Sequence, residues 1–182
     1  GETPIIDHFD LTVNGPERIA IIGDNGSGKT TLVKLIMGTI TPTTGKVTQG
    51  IENIRYLDQQ ASLLNPQLSI ADNFKIFNPE LKETEARLCL ARFLFRNTDA
   101  LKSVANLSNG EKMRAMLACV LMAKQPPQLL ILDEPTNHLD LASITAIENA
   151  LQYYEGALIV ISHDKVFIDN IQFRLTRNDP FT

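Results

Sequence analysis

Gly23-Asp24-Asn25-Gly26-Ser27-Gly28-Lys29-Thr30 fits the spacing GxxxxGKT, and it stands between a strand-like run at 18–22 and a helix-like run at 30–37. A nucleoside triphosphate is a dense cluster of negative charge that must be held without bulky side chains intervening. Gly23, Gly26 and Gly28 let the backbone curl closely, so that successive N–H groups point at phosphate oxygens. Lys29 then lies along the β and γ phosphates as a point charge, while the Thr30 hydroxyl suits Mg²⁺. The helix that follows adds its positive end, so Asp24, Asn25, Ser27 and Thr31 join the predicted cradle.

Working outward, 5–22 alternates and then turns continuously apolar, with Asn14, Gly15 and Pro16 as a turn between two strands. Short strands are also expected at 46–49 and 53–57, and with the N-terminal hairpin these predict a small antiparallel layer. From about 66 to 106 the pattern changes to helical spacing, with Ile70, Phe74 and Phe77 recurring, which predicts a helical subdomain inserted in an α/β core. A helix at 108–123, a buried strand at 129–132, a helix at 143–153 and a strand at 157–161 follow. Strands alternating with helices predict a parallel core sheet.

The run Leu129-Leu130-Ile131-Leu132 ends in Asp133 and Glu134, which places two acids at the carboxyl edge of the sheet, where ligands of open α/β sheets sit. Asp133 suits Mg²⁺, and Glu134 suits polarising the water that attacks the γ phosphate. Leu107-Ser108-Asn109-Gly110-Glu111 opens a helix. Ser108 and Glu111 fit a capping box there, and such a helix start is also an anion site.

In order, the chain carries a phosphate loop, Gln59 at a strand end, the run 107–111, Leu130-Ile131-Leu132-Asp133-Glu134-Pro135, the pair Leu139-Asp140, and Ile161-Ser162-His163-Asp164. This series resembles the nucleotide-binding domain of an ABC ATPase over nearly the whole chain. The run 133–141, Asp-Glu-Pro-Thr-Asn-His-Leu-Asp-Leu, and Glu111 in place of a transporter-typical glutamine are similar to the ABC-F branch, whose members lack membrane domains and act on ribosomes.

The resemblance implies a P-loop core that binds ATP and Mg²⁺, with Glu134 catalytic, Gln59 sensing Mg²⁺ and the attacking water, and His163 contacting the γ phosphate. Mg²⁺ would be held by Thr30, Gln59 and Asp133. Ser108, Gly110 and Asp140 would reach the opposite nucleotide in a head-to-tail pair. The whole of 1–182 is then one domain of a two-domain protein, its partner domain and helical linker lying outside this chain, and it serves as a translation factor or in antibiotic resistance. A transporter's ATP-binding subunit is the competing expectation. The family's adenine-stacking aromatic would fall at or before Gly1, so no such ring is expected here, and Asn109 stands where glycine is common.

Bulk properties narrow the classes further. A net charge of −4 argues against coating a nucleic acid, which needs clustered Lys and Arg, so no direct DNA binding is expected. Cys89 and Cys119 show neither a CxxC pair nor metal-ligand spacing, which predicts buried thiols in a reducing cytosol. No apolar run approaches the roughly 20 residues that span a bilayer. A cytoplasmic location is expected.

Overall fold

A computed structural model describes residues 4–24, 26–58, 61–171 and 174–175. The predicted site residues Asn25 and Gln59 lie outside the described residues. Five parallel strands form one sheet in the order β2–β3–β4–β1–β5: β1 Arg18–Ile21, β2 Ile54–Leu57, β3 Leu129–Asp133, β4 Ala157–Ile161 and β5 Arg174–Leu175. β4 is apolar at every position, and β1 and β3 are apolar apart from Arg18 and Asp133 at their ends, because both sheet faces are covered. Successive side chains alternate between two cores. Leu129, Ile131, Ile159, Ile161, Ile19 and Ile21 meet Leu32 and Val33 of helix α1 (Lys29–Ile36) on one face. Leu130, Leu132, Leu158 and Val160 meet α4 (Asn109–Leu121), α5 (Leu141–Gln152) and α6 (Lys165–Asn170) on the other.

Between β2 and α4 the chain forms α2 (Ile70–Phe77), α3 (Glu83–Arg92) and two short 3₁₀ turns. Ser69 opens α2 with a capping box to Asp72. Ile70, Phe74, Leu90, Phe93 and Phe95 carry the apolar face of this segment into the α4 core.

The expected antiparallel layer is corrected by the structure. Among the described residues, neither 5–13 nor 46–49 forms a strand, and β2 pairs in parallel with β3, from Ile54 opposite Leu129 to Leu57 opposite Leu132. The alternation of Phe9, Leu11 and Val13 is real burial, since these side chains pack against the α1 core. Period-two burial reports which side chains face the core and does not by itself supply a backbone partner.

Arg18 fastens the sheet to the end of α5. Its guanidinium donates to the carbonyls of Leu151 at 3.0 Å, Gln152 at 3.1 Å, Tyr154 at 3.3 Å and Ile171 at 3.2 Å. A cation here answers the unpaired carbonyls and negative end of the helix. Arg18→Met should therefore cost about 2 kcal/mol, read as a melting temperature lower by roughly 4–8 °C.

Candidate nucleotide site

The turn after β1 is built by left-handed glycines, Gly26 at φ 84° and Gly28 at φ 95°, backbone that L side chains rarely adopt. A Cβ added to Gly26 would meet nothing within 4 Å, so the constraint there is conformational rather than steric. Gly28 is the N-cap of α1 and supplies no side chain, whereas Ser69, Ser108, Asp140 and Asp164 cap α2, α4, α5 and α6 with theirs. The first N–H groups of α1, around Thr30 and Thr31, are left for a ligand. Ser27 Oγ is buried with no hydrogen-bond partner among the described residues. The Lys29 ammonium folds back over its own loop and donates to the carbonyls of Gly23 and, at 2.7 Å, of Asp24. An orphaned hydroxyl, an uncapped helix start and a cation resting on carbonyls together fit an incoming polyphosphate.

Asp133 ends β3 two residues beyond Ile131, and so shares the face that carries α1. Its Oδ2 accepts from the Tyr56 hydroxyl at 2.7 Å. Glu134 leaves the strand in a left-handed turn at φ 47°, while its N–H still donates to the Ile161 carbonyl at 2.8 Å. The side chain is 15% exposed, and its Oε1 lies 3.4 Å from His163 Nε2. The sequence around His163 explains its position: Ser162 is buried, Asp164 caps α6 through the Phe167 N–H at 3.1 Å, and the imidazole between them is left half-exposed beside Glu134.

These donors also fit Mg²⁺. Among the described residues no three His, Cys, Asp or Glu side chains gather as an all-protein cage would require. A single strand-end carboxylate and the Thr30 hydroxyl suit an ion that keeps its waters and binds chiefly through substrate phosphates.

The residues expected to act across a pair sit together at one end of α4 and α5. Ser108 Oγ accepts from the Glu111 N–H at 3.2 Å, and Glu111 accepts from the Ser108 N–H at 2.9 Å, which completes the predicted capping box. Asp140 caps α5 by accepting the Ser143 N–H at 2.7 Å, a bond that holds its carboxyl below the usual range. Ser143 Oγ donates to Asp140 at 3.1 Å and accepts from Arg114, which also donates to the Phe93 carbonyl at 2.8 Å and lies over the Phe95 ring. Gly110 is buried in this contact. A Cβ there would fall 2.7 Å from Ser143 Oγ, so Gly110→Ala should destabilise the fold by about 1–3 kcal/mol. A double-mutant cycle with Ser143→Gly should show coupling between the two sites, whereas purely additive effects would remove the steric account.

Sequence reading passed over Tyr56, Ser143 and Arg114. The available signal for Tyr56 was a polar-tipped ring one residue before the carboxyl end of a short strand. Ser143 and Arg114 become legible only once α4 lies against α5.

Residues 6–137 match the family model described as ABC transporter. The chain is similar to YdiF of Bacillus subtilis (strain 168), 40% identical over 175 residues that cover 96% of this chain and 27% of YdiF. It is similar also to the ATP-binding protein Uup of Haemophilus influenzae (strain ATCC 51907 / DSM 11121 / KW20 / Rd), 39% identical over 175 residues, covering 93% of this chain and 27% of that protein. The chain thus spans 27% of the length of each of these relatives. Its fold is that of the ATP-binding cassette MJ0796 in a dimeric post-hydrolysis state bound to ADP and Pi, with a TM-score of 0.74 and 23% identity over 91% of this chain and 83% of that one. The chain belongs to the ABC ATPase family, whose domains bind ATP with Mg²⁺ and hydrolyse it.

Proposed function

We propose that this chain is one nucleotide-binding domain, with 66–106 as its helical subdomain, of an ABC-F-type ATPase. ATP binding closes it head-to-tail on a second such domain of the same polypeptide, and hydrolysis releases the pair. The observation that carries the reading is the Glu134–His163 pair, 3.4 Å apart at the carboxyl edge of the sheet, one strand away from the uncapped start of α1.

Residues 23–31 cradle the phosphates, and Lys29 lies along the β and γ groups. Thr30 and Asp133 would hold Mg²⁺, a role the family resemblance extends to Gln59, and the ion would supply positive charge where the β phosphate of the departing ADP gains negative charge. Glu134 accepts a hydrogen bond from the attacking water and orients it. His163 contacts the γ phosphate. Ser108 and Asp140 stand exposed at the starts of α4 and α5, open to the partner's nucleotide, while Gly110 keeps those two helices close.

The ABC-F reading is supported by the run 133–141 and by the likeness to Uup. In it the whole protein works in the cytoplasm as an ATP-timed switch on the ribosome. Among the described residues no helix is long and apolar enough to cross a membrane. The test is co-sedimentation of the whole protein, carrying Glu134→Gln and its counterpart in the second domain, with ribosomes and with membranes. ATP-dependent pelleting with ribosomes is expected. Pelleting with membranes instead would overturn this reading in favour of a transporter subunit.

A further inference from the structure

We propose that Tyr56 is a positioning residue for Asp133: its hydroxyl ties down one carboxylate oxygen so that the other is presented, already oriented, to the divalent cation that accompanies the nucleotide. The inference rests on the reading of Asp133 as an Mg²⁺ residue, and the experiment below separates the two.

The bond between Tyr56 Oη and Asp133 Oδ2, at 2.7 Å, is a short contact between a hydroxyl donor and a carboxylate. Its geometry follows from the strand register. Tyr56 stands opposite Ile131, so Asp133 is its diagonal neighbour, two positions nearer the carboxyl edge on the same face. A serine or threonine at 56 would fall short across that step, whereas an aromatic side chain reaches it. The ring itself packs into the α1 core beside Ile54, which fixes the direction of the hydroxyl.

A phenol keeps its proton at physiological pH and the carboxylate can only accept, so Tyr56 is the donor in this bond. An aspartate carboxylate otherwise turns easily, because its terminal torsion is broad and two-fold. The tie removes that freedom before the ligand arrives. The two adjacent acids are thereby shared between neighbouring strands. Asp133 is bound toward β2 by Tyr56, while Glu134, turned by its left-handed backbone, meets His163 beyond β4. The hydroxyl acts on the cation only through Asp133.

The experiment is Tyr56→Phe in the whole protein, with Asp133→Asn in parallel. Mn²⁺ affinity of the nucleotide-loaded protein is read by EPR, and nucleotide affinity is read separately in EDTA. The phenylalanine is nearly isosteric, so the packing of the ring is kept. Partners that orient metal ligands contribute 10- to 100-fold to metal affinity, and Tyr56→Phe should weaken Mn²⁺ binding about tenfold while leaving metal-free nucleotide binding unchanged. The Mg²⁺ concentration for half-maximal hydrolysis should rise in step. Weaker Mn²⁺ binding in Asp133→Asn with unchanged binding in Tyr56→Phe overturns the inference alone. Tighter binding in Tyr56→Phe also overturns it, since the hydroxyl would then compete with the cation. Unchanged Mn²⁺ binding in both variants overturns the reading of Asp133, and the inference with it.

Discussion

Lys29→Ala is expected to abolish useful ATP binding, weakening it by roughly a hundredfold or more, because in the proposed function it removes a cation that would bond directly to charged phosphate oxygens. The structure gives the ammonium a resting place on the carbonyls of Gly23 and Asp24, within the loop it serves. It has only to swing from its own backbone to the ligand. The main-chain part of the cradle, set by the left-handed Gly26 and Gly28, and the Ser27 and Thr30 hydroxyls survive the substitution. Equilibrium titration with ATP and Mg²⁺ is the measurement. Unchanged affinity would remove residues 23–30 from the site.

Glu134→Gln is expected to leave ATP affinity intact and to slow hydrolysis by about a hundredfold or more. Glutamine keeps the length of the side chain and the oxygen near His163, yet loses the charge that draws a proton from the attacking water. Single-turnover hydrolysis, measured beside nucleotide binding, separates the two effects. Equal turnover in the variant would place the catalytic base elsewhere. A loss of binding equal to the loss of rate would make Glu134 a binding residue instead.

Much of this was legible because the informative residues are local. GxxxxGKT needs no partner to be read, since its glycines and the helix start that follows lie within eight consecutive positions. The strands at 129–132 and 157–161 are continuous apolar runs, which a sheet covered on both faces requires. Ser108 and Glu111 announce the start of α4 by side chain-to-backbone bonds three residues apart. The acids that end β3 were visible for the same reason.

What escaped depended on register or on helix packing. Phe9, Leu11 and Val13 alternate as a strand would, but the alternation records their burial against α1, and the described backbone forms no ladder there. Tyr56 reaches Asp133 only because β2 lies beside β3 with Tyr56 opposite Ile131. Gly110 reads as part of an anion-binding helix start. Its burial against Ser143 gives the missing side chain a packing reason as well, one that appears only when α4 and α5 are brought together.

In the proposed function, residues 23–31 wrap the phosphates while Asp133 and Glu134 face them across the edge of the sheet. The most direct test is the structure of the protein with ADP, beryllium fluoride and Mg²⁺. The phosphate mimic is expected at the N–H groups that start α1, with Ser27 Oγ bonded to it and Lys29 moved off the Gly23 and Asp24 carbonyls onto its oxygens. A nucleotide bound elsewhere, or a Lys29 still resting on its own loop with the mimic in place, would contradict that reading.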